Sequence, residues 1–152
     1  MPSLTTAQTN AMQELLRIAP VIDDLGRLFR QAGHELYLVG GSVRDALLGQ
    51  LGHDLDFTTS ARPDETHELL KAFTPSTWDI GKEWGTIGAL KKADGQEWQI
   101  EVTTYRADLY RSDSRKPEVN FGDTLDGDLV RRDFTINAMA INVATRQFVD
   151  PY

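Results

Sequence analysis

Residues 38–59 read LVGGSVRDALLGQLGHDLDFTT: an apolar run, two glycines, a short charged segment and two alternating carboxylates. The segment ELYLVGG at 35–41 predicts a buried strand that enters a glycine turn. Ser42 is predicted to cap a short helix that Gly49 ends. DLDFTT at 54–59 predicts a second strand. The stretch therefore indicates a strand, a short helix and another strand in close succession.

Apolar spacing predicts further elements on both sides of this stretch. Helices are predicted at 6–18, 20–33, 63–73 and from 124, and strands at 86–92, at 97–105 and as a hairpin over 140–150. The two strands at 86–92 and 97–105 are separated by a short polar turn, which predicts a hairpin. Residues 106–123 carry many charges and little periodicity, so we expect a long, mobile loop there, and loops of that length are often functional.

Composition narrows the class of protein. The chain has 152 residues, enough for one domain with a real core, and its hydrophobic content of 40% is ordinary for a soluble protein. It has no cysteine, no basic and apolar start of the signal-peptide kind and no apolar run of membrane-spanning length, which fits a cytoplasmic protein that does not enter the membrane. A net charge of −7 argues against a module that grips nucleic acid by neutralising phosphates, but it does not exclude nucleotide chemistry, because a metal site is itself acidic.

Asp54 and Asp56 are the first candidate site residues. Residues two apart on a strand project from the same face, about 7 Å apart along the chain. Two carboxylates held in this way repel each other unless cations lie between them, and Mg²⁺ takes one or two carboxylates together with substrate phosphates. Glu101, in the strand QIEVTT, is a candidate third carboxylate. Each of the three also has a simpler interpretation, since an acid on a solvated strand face is common.

Gly40, Gly41 and Arg44 are the second group of candidates. Bare backbone N–H groups beside a helix start form a natural cradle for phosphate, and an arginine in the first turn reaches the same oxygens. The alternative is an ordinary strand-to-helix turn with a surface arginine. A later cluster, Arg131, Arg132, Asp133 and Asn137, is either a salt-bridged surface or a second phosphate clamp with groups that bond a sugar hydroxyl. Spacing alone does not decide between these interpretations.

The motifs together resemble a known family. LVGGSVRDALLG, HDLDFTT, IEVTTYR, DLVRRDFTINAMA and FVDP occur in this order with compatible separations. This combination is similar to the head domain of the tRNA nucleotidyltransferase/poly(A) polymerase family, the class II CCA-adding enzymes of the polymerase-beta-like nucleotidyltransferase superfamily. The resemblance runs from about residue 20 to the end.

The resemblance implies a role for each motif. Gly40, Gly41 and Arg44 match the motif that holds the nucleoside triphosphate, and Asp54 and Asp56 match the metal-binding pair of a two-Mg²⁺ site. Glu101 matches, less directly, the carboxylate that helps to activate the 3′-hydroxyl of the primer.

The later motif and the loop also have counterparts in the family. Arg131, Arg132, Asp133 and Asn137 match a motif in which Arg132 would contact phosphate while Asp133 and Asn137 contact the ribose. The loop at 106–123 falls where the family has a flexible element linked to the switch from adding C to adding A.

The implied fold is α+β: a small mixed, mostly antiparallel sheet with helices packed mainly on one face. The implied activity is addition of CMP and AMP to tRNA 3′ ends from CTP and ATP. Poly(A) polymerase, CC-only or A-only addition remains an alternative, as does a non-catalytic nucleotide- or RNA-binding module. We expect 1–152 to be an N-terminal head domain with an N-terminal extension or helix at 1–19, the nucleotide-selecting neck and the tRNA-binding domains to lie beyond it, and the head alone to be weakly active or inactive.

Overall fold

The computed structural model describes residues 6–17, 19–50, 52–81, 85–93, 95–106, 121–122, 124–130 and 139–149. Its helices are α1 (Thr6–Arg17), α2 (Ala19–Gln31), α3 (Gly41–Leu47), α4 (Pro63–Phe73) and α5 (Leu125–Val130). Its strands are β1 (Leu36–Val39), β2 (Asp54–Thr59), β3 (Ser76–Gly81), β4 (Thr86–Ala93), β5 (Gln96–Thr104), β6 (Ala140–Asn142) and β7 (Phe148–Val149). The helices and strands predicted at these positions are confirmed.

All seven strands belong to one sheet, in the order β3-β4-β5-β2-β1-β6-β7. Within the described part of the chain, β2 and β5 pair in parallel, and the other neighbours pair antiparallel. The predicted α+β fold with a mixed, mostly antiparallel sheet is therefore confirmed. The parallel pair lies near the middle of the sheet, so both of its strands have neighbours on each side.

Four helices cover one face of the sheet. The main core cluster joins Leu36 and Leu38 of β1 to apolar residues of α1, α2, α3 and α4. Helix α1 contributes Ala11 and Leu15, so it packs within the same core as the other helices. Predicted packing of the helices mainly on one face is thus confirmed.

A smaller cluster lies on the opposite face. Tyr37 and Val39 alternate with the β1 leucines, and they pack with Leu125 and Leu129 of α5. Because successive strand residues point to opposite faces, β1 supplies both clusters. The acidic residues of β2 lie on this second face, because they alternate with Leu55 and Phe57 of the main core.

Strand β3 has no counterpart among the predicted elements. Among the described strands it lies at the edge and pairs with β4, and its sequence STWDIG leaves Trp78 37% and Ile80 48% exposed. The indole of Trp78 lies against Gly88, in space that a Cβ would occupy. The stability of a strand depends on its packing against neighbouring strands more than on its own sequence pattern, so a short edge strand is hard to predict.

No helix in the described ranges is both long enough and apolar enough to cross a membrane.

Candidate functional site

The strand pairing brings the predicted carboxylates together. Leu55 and Phe57 enter the helix-covered core, so Asp54 and Asp56 project from the opposite face of β2. In the parallel register Asp56 pairs with Glu101 of β5. Neighbouring strands are about 4.8 Å apart, so these two carboxylates start from adjacent backbone positions on one face. The position predicted for Glu101 from its strand is confirmed.

These carboxylates line one shallow pocket of about 280 Å³. Asp54, Asp56 and Glu101 contribute to its wall, and the backbone turn contributes Gly41 and Ser42. The acidic strand and the glycine turn, which are separate motifs in the sequence, therefore face the same space.

Asp45 and Gln99 also line the pocket and were not among the predicted site residues. Gln99 pairs with Asp54 in the register and lies two residues before Glu101 on β5. Strand alternation alone places Gln99 on the face of Glu101, and that signal was available in the sequence.

The chemistry of this wall fits a hard divalent cation. Mg²⁺ prefers carboxylate oxygens, keeps several waters and accepts substrate phosphates as further ligands. Within the described ranges, no three carboxylate or imidazole groups converge closely enough to form a ready ligand cluster. The wall thus offers carboxylate oxygens, and a cation bound there would take its further ligands from substrate and water.

His53, the residue before β2, makes two contacts with β5. The N–H of Gln99 donates to the carbonyl oxygen of His53 at 2.8 Å, and the His53 ring meets the Trp98 ring edge-on with centroids 4.8 Å apart. Trp98 is buried in the main core. The backbone that carries Asp54 is thereby tied to β5 and to the core.

The glycine turn and Arg44 lie beside the pocket. Gly40 is buried with φ 62° and ψ −135°, a conformation that favours glycine. A Cβ on Gly41 would come within 3.2 Å of Arg44 Nη2, so the guanidinium lies over the bare backbone of the turn. Arg44 is half exposed, and its Nε donates to Asp45 Oδ1 at 3.3 Å. The arrangement keeps a cation near the pocket and within reach of solvent.

Ser42 corrects one prediction. It was predicted to cap the helix, but α3 begins at Gly41, Gly40 is the capping residue, and no side chain caps this end. The Ser42 hydroxyl instead accepts the N–H of Asp56 at 2.9 Å and lies 3.4 Å from the carbonyl oxygen of Asp54, to which it can donate. The hydroxyl therefore bonds the backbone of β2 and not the backbone of its own helix.

The second predicted clamp, formed by Arg131, Arg132, Asp133 and Asn137, lies outside the described residues. Most of the predicted loop at 106–123 also lies outside them. Its two ends are paired, because Arg106 and Phe121 form an antiparallel bridge and Gly122 N–H donates to the carbonyl oxygen of Tyr105 at 2.6 Å.

A polar cluster anchors α5 on the face that carries the acids. The buried carboxylate of Asp128 accepts the Arg106 N–H at 2.9 Å. Tyr105 donates to Glu35 Oε1 at 3.1 Å, and burial, with the nearby Glu35 charge, raises the pKa of the Tyr105 phenol. A raised phenol pKa keeps Tyr105 neutral, as a hydrogen-bond donor to Glu35.

A known protein family matches the part of the chain that contains these motifs. The sequence pattern of the Poly A polymerase head domain matches residues 36–152, from β1 through the acidic strand to the end of the chain. The chain belongs to this family. The family resemblance predicted from the motifs is confirmed.

Individual relatives agree with this assignment. A CCA-adding enzyme of Streptococcus pneumoniae (strain CGSP14) is 43% identical over 143 residues, which are 93% of this chain and 33% of the relative. The structure of the Bacillus stearothermophilus CCA-adding enzyme in complex with CTP is 36% identical with a TM-score of 0.65, and the match covers 85% of this chain and 28% of that one.

A third match is a tRNA nucleotidyltransferase complexed with a primer tRNA and an incoming ATP analog. It is 32% identical with a TM-score of 0.61, and the match covers 83% of this chain and 34% of that one. The chain thus spans about a third of the length of the proteins it matches.

Proposed function

We propose that this chain is the nucleotidyl-transfer head of a CCA-adding enzyme, which adds CMP and AMP from CTP and ATP to the 3′ end of tRNA. The observation that carries the proposal is the shared pocket of Asp54, Asp56 and Glu101 beside the glycine turn. The relatives named as CCA-adding enzymes, and the one complexed with a primer tRNA and an ATP analog, support the choice of substrates.

Each group of residues at the pocket has its own role in the proposed reaction. Asp54 and Asp56 would hold the divalent cations, and Gly40, Gly41 and Arg44 would seat the phosphates of the nucleotide. The 3′-hydroxyl oxygen of the RNA attacks the α-phosphate, the bond to pyrophosphate breaks, and in this proposal Glu101 accepts the hydroxyl proton. Bound Mg²⁺, two ions in this proposal, would supply charge neutralisation at the phosphates. Positioning and electrostatics then lower the barrier, because phosphoryl chemistry needs little covalent help from the protein.

In the same proposal, Arg131 and Arg132 add positive charge at the phosphates, and Asp133 and Asn137 bond the ribose. Their support is the match between the family pattern and residues 36–152, which include all four.

Poly(A) addition is the second candidate, because the matching family is described by a poly(A) polymerase head domain. The two activities share the head and differ in product. The test uses the longest form of the protein that its gene encodes, with tRNA lacking its 3′ end, Mg²⁺, and CTP, ATP or both. Sequenced products that end in CCA support the first candidate, and long A tails support the second. A folded protein that incorporates no nucleotide contradicts both.

The metal assignment makes the first mutational prediction. Asp54→Ala or Asp56→Ala should reduce nucleotide incorporation by at least about 1,000-fold, because the transition-state charge loses its cation support. The matched control is Asp79→Ala, which removes an exposed acid from the edge strand β3. Circular dichroism should show that all three variants remain folded. Full activity in either the Asp54 or the Asp56 variant would refute the assignment.

A further inference from the structure

The Ser42 side chain joins the glycine turn to the acidic strand. Its hydroxyl oxygen accepts the Asp56 N–H at 2.9 Å and lies 3.4 Å from the carbonyl oxygen of Asp54. The residue is 5% exposed and lines the pocket. One side chain thus bonds the backbone of both residues that carry the paired carboxylates.

This contact occurs where β1 leaves the sheet. Pairing of β1 with β2 runs from Leu36–Thr59 to Leu38–Phe57, after which the chain turns at Gly40 into α3. Beyond this point the backbone of β2 on the β1 side needs another partner, because buried backbone N–H and C=O groups are nearly always bonded. The Ser42 hydroxyl is both acceptor and donor, so it extends the ladder across the residues that β1 no longer covers.

The other end of the same strand pair offers a matched case. Beyond Leu36–Thr59, the hydroxyl of Ser60 accepts the N–H of Glu35, also at 2.9 Å. Two serines therefore hold the two ends of the β1–β2 ladder. Only Ser42 lies at the end that carries Asp54 and Asp56.

We infer that Ser42 is a positioning residue for nucleotidyl transfer: its hydroxyl fixes the backbone of Asp54 and Asp56 against the turn at Gly40-Gly41. The inference rests on the function proposed above. Cation-binding carboxylates and phosphate-binding backbone must keep a constant separation for the cations to bridge to the triphosphate. A displacement of about 1 Å in such a site is enough to cost roughly 100-fold in rate.

The experiment compares Ser42→Ala, Ser42→Thr and the control Ser60→Ala in the longest form that the gene encodes. For Ser42→Ala we expect kcat to fall at least about tenfold and the Mg²⁺ concentration for half-maximal rate to rise, while KM for ATP changes little. Ser42→Thr keeps a hydroxyl and should recover most of kcat. Ser60→Ala loses an equivalent hydrogen bond away from the pocket and should keep both kcat and the Mg²⁺ requirement.

A structural readout separates this inference from the proposed function. Hydrogen–deuterium exchange in peptides that cover β2 should be faster in Ser42→Ala than in the unmodified protein, and Mn²⁺, used as a probe and followed by electron paramagnetic resonance, should bind more weakly. Both measurements remain valid if the protein transfers no nucleotide, in which case the proposed function fails alone. Unchanged β2 exchange and Mn²⁺ binding in Ser42→Ala would overturn the inference. So would a higher KM for ATP at constant kcat and Mg²⁺ requirement, because the hydroxyl would then contact substrate.

Discussion

Gly40 combines two backbone tasks at one position. It ends β1 and caps α3, and its carbonyl oxygen accepts the N–H groups of Val43 at 3.1 Å and Arg44 at 3.2 Å. Its φ of 62° with ψ −135° is accessible to glycine and strained for residues with a Cβ. The turn that exposes bare backbone to the pocket therefore depends on this one residue.

Gly40→Ala should lower the free energy of unfolding by about 1–3 kcal/mol, because the new Cβ must adopt this strained conformation. Urea unfolding followed by circular dichroism measures the change. Gly52→Ala is the control, since Gly52 has an ordinary φ and no atom within 4 Å of an added Cβ. Equal stability of the two variants would show that the turn tolerates a side chain.

At the scale of elements, the first turn of helix α4 is held by the side chain of Glu65. Glu65 Oε1 accepts the N–H of Arg62 at 3.2 Å, and its Oε2 lies 3.0 Å from His34 Nε2. The hydrogen bond from the Arg62 backbone, helped by His34, lowers the pKa of the Glu65 carboxyl. One acid thus satisfies the helix start and connects α4 to the segment before β1.

Glu65→Ala should therefore lower the free energy of unfolding by about 0.5–1 kcal/mol at neutral pH, because a contact at the helix start is lost. This corresponds to a fall of about 1–4 °C in melting temperature. The control is Glu68→Ala, which removes an exposed acid paired with Lys71 on the same helix. Because the folded pKa is lowered, the benefit of Glu65 is fully present above the ordinary value of 4.5 and is lost as pH falls through the lowered pKa. Melting curves from pH 7 into the acid range test this; a pH-independent difference would contradict the ionised contact.

At the scale of the whole molecule, the sheet holds acids of two strands on one face. Asp56 and Glu101 are separated by 45 positions in sequence and become neighbours only through the parallel pairing of β2 and β5. A cation that binds only the folded protein stabilises it, so stability and cation binding at this face should be linked.

The double variant Asp54→Asn, Asp56→Asn removes both predicted cation ligands and keeps side chains of nearly the same size. Added Mg²⁺ should stabilise the unmodified protein, by about 2.7 kcal/mol at 100 times the dissociation constant, and leave the double variant unaffected. Differential scanning calorimetry with and without Mg²⁺ measures both effects. Asp64→Asn with Asp79→Asn is the charge-matched control, and an equal Mg²⁺ response in both double variants would place the cation elsewhere.

Short-range patterns in the sequence were sufficient for most of the elements and for the site motifs. Strand β2 was predictable because DLDFTT alternates, and α4 was predictable because Pro63 begins a helical spacing that Phe73 ends. Edge strand β3 was missed because its alternation is confined to Trp78, Asp79 and Ile80, too few residues to indicate a strand. The roles of Arg131, Arg132, Asp133 and Asn137 stay predictions.

The sequence by itself determined the family, the carboxylates and the glycine turn, since each depends on residues close together in the chain. The tertiary structure decided which of these meet: Glu101 beside Asp56 through a parallel pairing, Gln99 and Asp45 in the same pocket, and the Ser42 hydroxyl on β2 instead of on its own helix. The physical reason is that backbone N–H and C=O groups lose water when they are buried and must then find a hydrogen-bond partner. That depends on where β1 leaves the sheet, and no local pattern specifies it.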